Sequence, residues 1–215
     1  MKKYAIEFIG TFFLVLTVAF TGNPLAIAAI LVSMLYMGGY ISGAHYNPAV
    51  TLAVLIRGKI RWLDAIIYWV VQILAGIVAA LIYNFVTGKR FIPAPSILAT
   101  FQTAVLMEAL FTFALASVVL HVATSEETEG NNYFGLAIGF VILAGAFAGG
   151  LSGGAYNPAV GIGPLLADIT HLGVRMQNFW IYIIGPLTGG LLAGLVYRLM
   201  NLGKGSNLPK EKSAK

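Results

Sequence analysis

The chain contains no cysteine. That excludes a disulfide framework and any thiolate metal site. Charge is also scarce: Asp, Glu, Lys and Arg make up 10% of the residues, against about 25% in an ordinary soluble domain. The three histidines, His45, His121 and His171, are too scattered to suggest a metal cluster. No metal and no cofactor are expected. There is no phosphate-binding glycine loop and no nucleophile–base pair, so an enzyme is not expected either. The formal charge is +5, but no basic run interleaved with aromatics is present, which argues against a nucleic-acid partner. What the chain has in excess is apolar surface. It is 59% hydrophobic with a mean hydropathy of +0.86, the composition of a protein whose first partner is the lipid bilayer.

Six stretches approach the ~20 residues needed to cross a bilayer. They lie near Tyr4–Thr21, Leu25–Tyr40, Trp62–Val86, Ile97–Val122, Tyr133–Gly149 and Asn178–Met200. The second and fifth are the weakest, since each runs into glycine. The first has a positive flank but no convincing cleavage site, and is read as an uncleaved span. Positions 1–201 are expected to form a single domain, followed by a polar, lysine-rich cytoplasmic tail over 203–215.

The domain contains an internal repeat, about 4–86 and about 97–200. Ser42-Gly43-Ala44-His45-Tyr46-Asn47-Pro48-Ala49-Val50 returns as Ser152-Gly153-Gly154-Ala155-Tyr156-Asn157-Pro158-Ala159-Val160. Glu7 in the first span has its counterpart in Glu108 of the fourth. Tyr68 and Tyr83 pair with Tyr182 and Tyr197. Three spans per half is an odd number, so the second half must enter the membrane from the opposite side. With both termini on one face, that face carries Lys2, Lys3, Arg57, Lys59, Arg61, Arg198 and four tail lysines, against Lys89, Arg90 and Arg175 on the other. The basic excess puts both termini in the cytoplasm. The loop over 124–132 dissents, with Glu126, Glu127 and Glu129 and no basic residue, but acidic residues weigh little in this rule.

Asn is a good N-cap and Pro suits the first helical position. Each Asn-Pro-Ala (Asn47, Pro48, Ala49 and Asn157, Pro158, Ala159) therefore predicts the start of a re-entrant half-helix of about ten residues, near half the membrane thickness at 1.5 Å per residue. Entering from opposite faces, the two meet N-terminus to N-terminus. Each end carries roughly +0.5 elementary charge. Cations are repelled at such a waist and neutral hydrogen-bonding molecules are not. The side chains of Asn47 and Asn157 are expected to donate N–H to a passing solute. The preceding backbone, Gly43, Ala44, His45 and Gly153, Gly154, Ala155, is expected to offer carbonyls to the lumen. An acidic side chain near the bilayer centre costs about 2.5–3.5 kcal/mol on insertion scales. The symmetric placing of Glu7 and Glu108 suggests that both accept hydrogen bonds from the re-entrant loops, with a proton relay, as in transporters, as the rival role.

The paired Asn-Pro-Ala, the Ser-Gly-Ala-His before the first, the two glutamates and Gly185-Pro186 in the sixth span resemble the aquaporin (major intrinsic protein) family over nearly the whole chain. The resemblance implies an all-α transmembrane fold of six spans and two half-helices around one pore per subunit, a homotetramer, and the same supporting role for the glutamates. It also implies a passive channel for water and small uncharged solutes. Most of that family carries Arg directly after the second Asn-Pro-Ala, where this chain has Val160. Family spacing places the other outer-filter residues at Ile27, Gly145 and Gly154. An apolar ring with two glycines predicts a wide filter, open to glycerol, other polyols, urea or hydrogen peroxide. A secondary transporter shares broken helices and inverted repeats, but the spans offer only Glu7, Glu108 and Asp64 to a coupling ion. A structural membrane protein is the third class.

Overall fold

The computed structural model describes residues 1–168 and 176–202. The tail over 203–215, Arg175 and His171 lie outside the described residues. Among the described residues there are eight α-helices, a single 3-10 turn over Glu126–Thr128, and no strand. The helices are α1 Lys2–Thr21, α2 Pro24–Ser42, α3 Pro48–Arg57, α4 Trp62–Thr87, α5 Phe101–Ala123, α6 Phe134–Ala148, α7 Pro158–Ala167 and α8 Met176–Met200. Five of them, α1, α2, α4, α5 and α8, are long and apolar enough to cross a bilayer. The fifth predicted span, α6, has only 15 residues, about 22 Å at 1.5 Å per residue. It stops where Gly149 and Gly150 turn the chain toward Asn157.

Local signals set most helix boundaries. Asn23 caps α2, its Oδ1 accepting from the N–H of Leu25 at 2.9 Å and of Ala26 at 3.2 Å, with Pro24 at the first helical position. Helix α5 begins at Phe101 rather than Ile97. The Ser96 N–H is bonded instead to the Leu151 carbonyl at 3.0 Å, and Thr100 supplies the cap through its Oγ1 to the Thr103 N–H.

The halves are inverted. Arg57, closing α3, lies over the ring of Tyr197 near the end of α8, 4.7 Å from its centroid. His121, near the end of α5, meets the same ring at 4.9 Å. The end of α5 therefore shares a face with the end of α3. The ion pair of Lys3 with Asp64 at 2.8 Å puts the start of α1 on that face as well. So α1 leaves the face that α5 approaches. Each short helix packs on the far half as well as its own: α3 against α8, and α7 against α4.

These crossings run through glycine because a Cβ has no room. One built on Gly190 of α8 would lie 2.3 Å from the Ala49 carbonyl oxygen, and one on Gly163 of α7 would lie 2.7 Å from the Gly76 Cα of α4. Close backbone approach is how helices associate in lipid, where no hydrophobic force drives them together. Gly190→Val is expected to lower stability by about 1–3 kcal/mol, seen as a fall in thermal midpoint in detergent. An unchanged midpoint would contradict this packing.

Candidate functional site

Both short helices begin as their sequences predict. Asn47 Oδ1 accepts from the Ala49 N–H at 2.8 Å, and Asn157 Oδ1 accepts from the Ala159 N–H at 2.9 Å. Each helix has ten residues, with proline first. The asparagines sit side by side, and their amides cross between the halves. Asn47 Nδ2 donates to the Tyr156 carbonyl at 2.8 Å, and Asn157 Nδ2 donates to the Tyr46 carbonyl at 2.8 Å. This departs from the sequence expectation. An amide has two N–H groups, and one from each side chain is bonded to the opposite loop. One on each remains for the lumen, which both residues line.

The loops leading to the asparagines share an unusual backbone. Gly43, Ala44 and Tyr46 have φ of 84°, 51° and 50°, and Gly153, Gly154 and Tyr156 have 94°, 65° and 49°. Left-handed residues that are not glycine cost on the order of 1–3 kcal/mol each and persist only when their surroundings fix them. Here buried carboxylates do so. Glu7 Oε1 accepts from Ser42 Oγ at 2.7 Å and the His45 N–H at 2.9 Å, and its Oε2 accepts from the Tyr46 N–H at 2.7 Å and Gln72 Nε2 at 2.9 Å. Glu108 Oε1 accepts from Ser152 Oγ at 2.7 Å and the Ala155 N–H at 3.0 Å, and its Oε2 accepts from the Tyr156 N–H at 2.5 Å. Both glutamates are fully buried, and neither lines the lumen or the vestibule. Tyr68 Oη and Tyr182 Oη complete the pairing, donating to the Ser42 and Ser152 carbonyls at 2.7 and 2.8 Å.

The halves differ around His45. Its Nδ1 lies 3.1 Å from Thr51 Oγ1, and Thr51 Oγ1 accepts from Gln72 Nε2 at 3.1 Å. The second half has Ala155, Gly161 and Pro186 at the corresponding places, and no such network. Gln72 was not singled out from sequence. The signal was available, because a buried amide at the middle of an apolar span needs a partner.

A narrow cavity of about 40 Å³ runs past the asparagines and opens toward a vestibule of about 980 Å³ on the face of the N-terminus. Of the predicted outer-filter residues, Ile27, Gly154 and Val160 line the narrow cavity, and Gly145 does not. Gly145 holds the ring of Tyr156: its carbonyl accepts from Tyr156 Oη at 2.9 Å, and a Cβ there would lie 2.9 Å from that ring. The next residue, Ala146, faces the cavity in its place, continuing the row Ile138, Ile142, Ala146 of α6. Among the predicted carbonyl positions, Ala44, His45, Gly154 and Ala155 line the cavity and Gly43 lines the vestibule. Gly153 packs against Ala94 and Tyr182, where a Cβ would meet Tyr182 Oη at 2.6 Å.

Two opposed half-helices, locked through their caps beside a narrow lumen inside an apolar bundle, define a transmembrane channel. The comparisons with known proteins give the family. Residues 1–197 match the family Major intrinsic protein. Aquaporin NIP1-4 of Oryza sativa subsp. japonica is 34% identical over 218 residues, covering 94% of this chain and 78% of that protein. Aquaporin TIP2-3 of Arabidopsis thaliana is 36% identical over 220 residues, covering 92% of this chain and 86% of that protein. The X-ray structure of the aquaglyceroporin from Plasmodium falciparum superposes with a TM-score of 0.75 at 20% identity, over 90% of this chain and 95% of that one. The chain belongs to the major intrinsic protein family. It is a passive channel and not an enzyme.

All the partners of Glu7 and Glu108 given above are donors. A glutamine in either place would turn an NH₂ group toward N–H or O–H donors. Glu7→Gln and Glu108→Gln are each expected to lose about 1–3 kcal/mol for a buried donor left unmade. The readout is thermal unfolding in detergent. A variant as stable as the parent would mean that the carboxylate does not hold the loop.

Proposed function

We propose that the chain conducts water and small uncharged solutes down their gradients and excludes ions at the paired asparagines. The observation that carries this reading is the reciprocal amide bond. It fixes two helix N-termini against each other, so that two positive dipole ends face one short stretch of lumen. A cation entering that stretch loses its hydration shell against a positive field. A water loses much less, because one amide N–H per side and the loop backbone replace its hydrogen bonds. The cavity of about 40 Å³ has room for roughly three waters at the ~10–15 Å³ each requires. Relatives that carry the name aquaporin favour the same substrate.

The outer ring in this reading is Ile27, Ala146, Gly154 and Val160, with no charged side chain. Its two small members favour a second activity, passage of glycerol, urea or hydrogen peroxide. Coupled transport is disfavoured because Glu7 and Glu108 are bound by donors and lie off the lumen. The chain sits in the cell membrane with both termini in the cytoplasm, supported by Lys3, Lys59 and Arg61 around the vestibule. It assembles as a homotetramer, each subunit with its own pore.

Reconstituted protein is expected to raise osmotic water permeability well above that of empty liposomes in stopped-flow light scattering. Flux equal to that of empty liposomes would refute the proposal. Val160→Arg is expected to cut polyol flux about tenfold while retaining water flux. An unchanged solute profile would show that Val160 does not face the permeating molecule.

A further inference from the structure

The lumen is lined by residues that the repeat relates in pairs. Ile27, Leu31 and Leu35 of α2 correspond to Ile138, Ile142 and Ala146 of α6 at a constant offset of 111 (138−27, 142−31, 146−35), and all six face the narrow cavity. The loop residues pair at an offset of 110 (154−44, 155−45, 160−50), matching Ala44 to Gly154, His45 to Ala155 and Val50 to Val160. Val18 of α1 pairs with Val119 of α5 at an offset of 101 (119−18).

The inversion turns each outer position into an inner one. The outer ring of Ile27, Ala146, Gly154 and Val160 therefore has an inner mate in Ile138, Leu35, Ala44 and Val50. Side-chain size differs between the two rings in one direction only. Leu35 stands opposite Ala146 in the pairing, Ala44 opposite Gly154, and His45 opposite Ala155. The remaining pairs are Ile with Ile and Val with Val. The inner ring is the bulkier at every position where the rings differ. It also lies at a boundary: its members Leu35, Ala44 and Ile138, with His45 and Val119 beside them, border both the narrow cavity and the vestibule, and Leu35 and Ile138 are each 3% exposed.

The inner ring also holds a polar side chain that its mate lacks. His45 is fixed by Thr51 at 3.1 Å, and Thr51 is in turn held by Gln72. An aliphatic wall facing one oriented polar group is the arrangement that selects by size and by hydrogen bonding together.

We propose that the inner ring, with Leu35 and Ile138 beside His45 on the vestibule side of the asparagines, sets the size limit of this pore. The outer ring is the wider of the two. The inference rests on the channel reading above and adds where along the pore selection takes place.

The test uses the full chain in proteoliposomes, with water, glycerol and the four-carbon polyol erythritol. Leu35→Ala and Ile138→Ala remove bulk from the inner ring on two different helices. Phe140→Ala, on the exposed face of α6, is the control. Either inner variant is expected to raise erythritol flux relative to water about tenfold, the size of effect that a few methylenes make in an apolar constriction. The control is expected to match the parent. A parent with no water flux above empty liposomes would refute the channel reading itself. A conducting parent whose polyol profile is unmoved by both inner variants, but widened by Ile27→Ala, would overturn this proposal and leave the channel reading standing. Since the chain has no cysteine, Leu35→Cys adds an independent measurement. Mercurial labelling there is expected to abolish water flux, and full flux after complete labelling would also overturn the proposal.

Discussion

A chain that leaves helix inside a bilayer must satisfy its backbone N–H groups without water, and the lumen depends on how this protein meets that constraint. Glu7 and Glu108 each accept from a serine hydroxyl and two successive loop N–H groups. The carboxylates thereby hold three left-handed residues in each loop, and that backbone brings Asn47 and Asn157 to the same point. Without it the two half-helices would still be capped and packed on their neighbours, but the loops that end at the asparagines would lose their buried acceptors. The crossed amide bonds then join the halves beside the narrow cavity.

The repeat gives close symmetry to the frame and only part of it to the lumen. Ser42 and Ser152, Tyr68 and Tyr182, Tyr46 and Tyr156 make matching bonds in both halves. Their hydroxyls are bonded to protein, where a change leaves a polar group unpaired or a ring without its cradle. The residues that differ, His45 with Ala155 and Leu35 with Ala146, line the narrow cavity, and their side chains take no part in the bonds that the two halves share. The Gln72–Thr51–His45 chain is found on one side only. It gives the vestibule end of the lumen an oriented polar group at His45, where the matching residue of the other half is Ala155.

Much of this was legible along the chain. Apolar length located the spans, and Asn-Pro located both short helices to the residue, because capping involves groups two residues apart. The glutamate pair was legible because a carboxylate in a span requires a reason. Gly145, which family spacing assigns to the outer filter, supports the ring of Tyr156, and Ala146 lines the cavity. Counting back from Asn157 assumes a fixed path for the loop over 149–156, and the actual path puts Gly145 beneath Tyr156 and turns Ala146 to the cavity. The α6 row Ile138, Ile142, Ala146 carries that register, but nothing local says which apolar row faces a lumen and which faces lipid.

The amino-acid sequence alone determined the class of fold, the inversion of its halves and the start of each half-helix, since these follow from hydropathy, parity and short-range capping. Only the tertiary structure decided that each asparagine bonds the opposite loop, across separations of 109 and 111 residues. It alone decided which side chains line the passage. Both depend on the relative placement of helices whose packing surfaces are mostly apolar or small, and such surfaces carry no one-dimensional mark of the partner they meet.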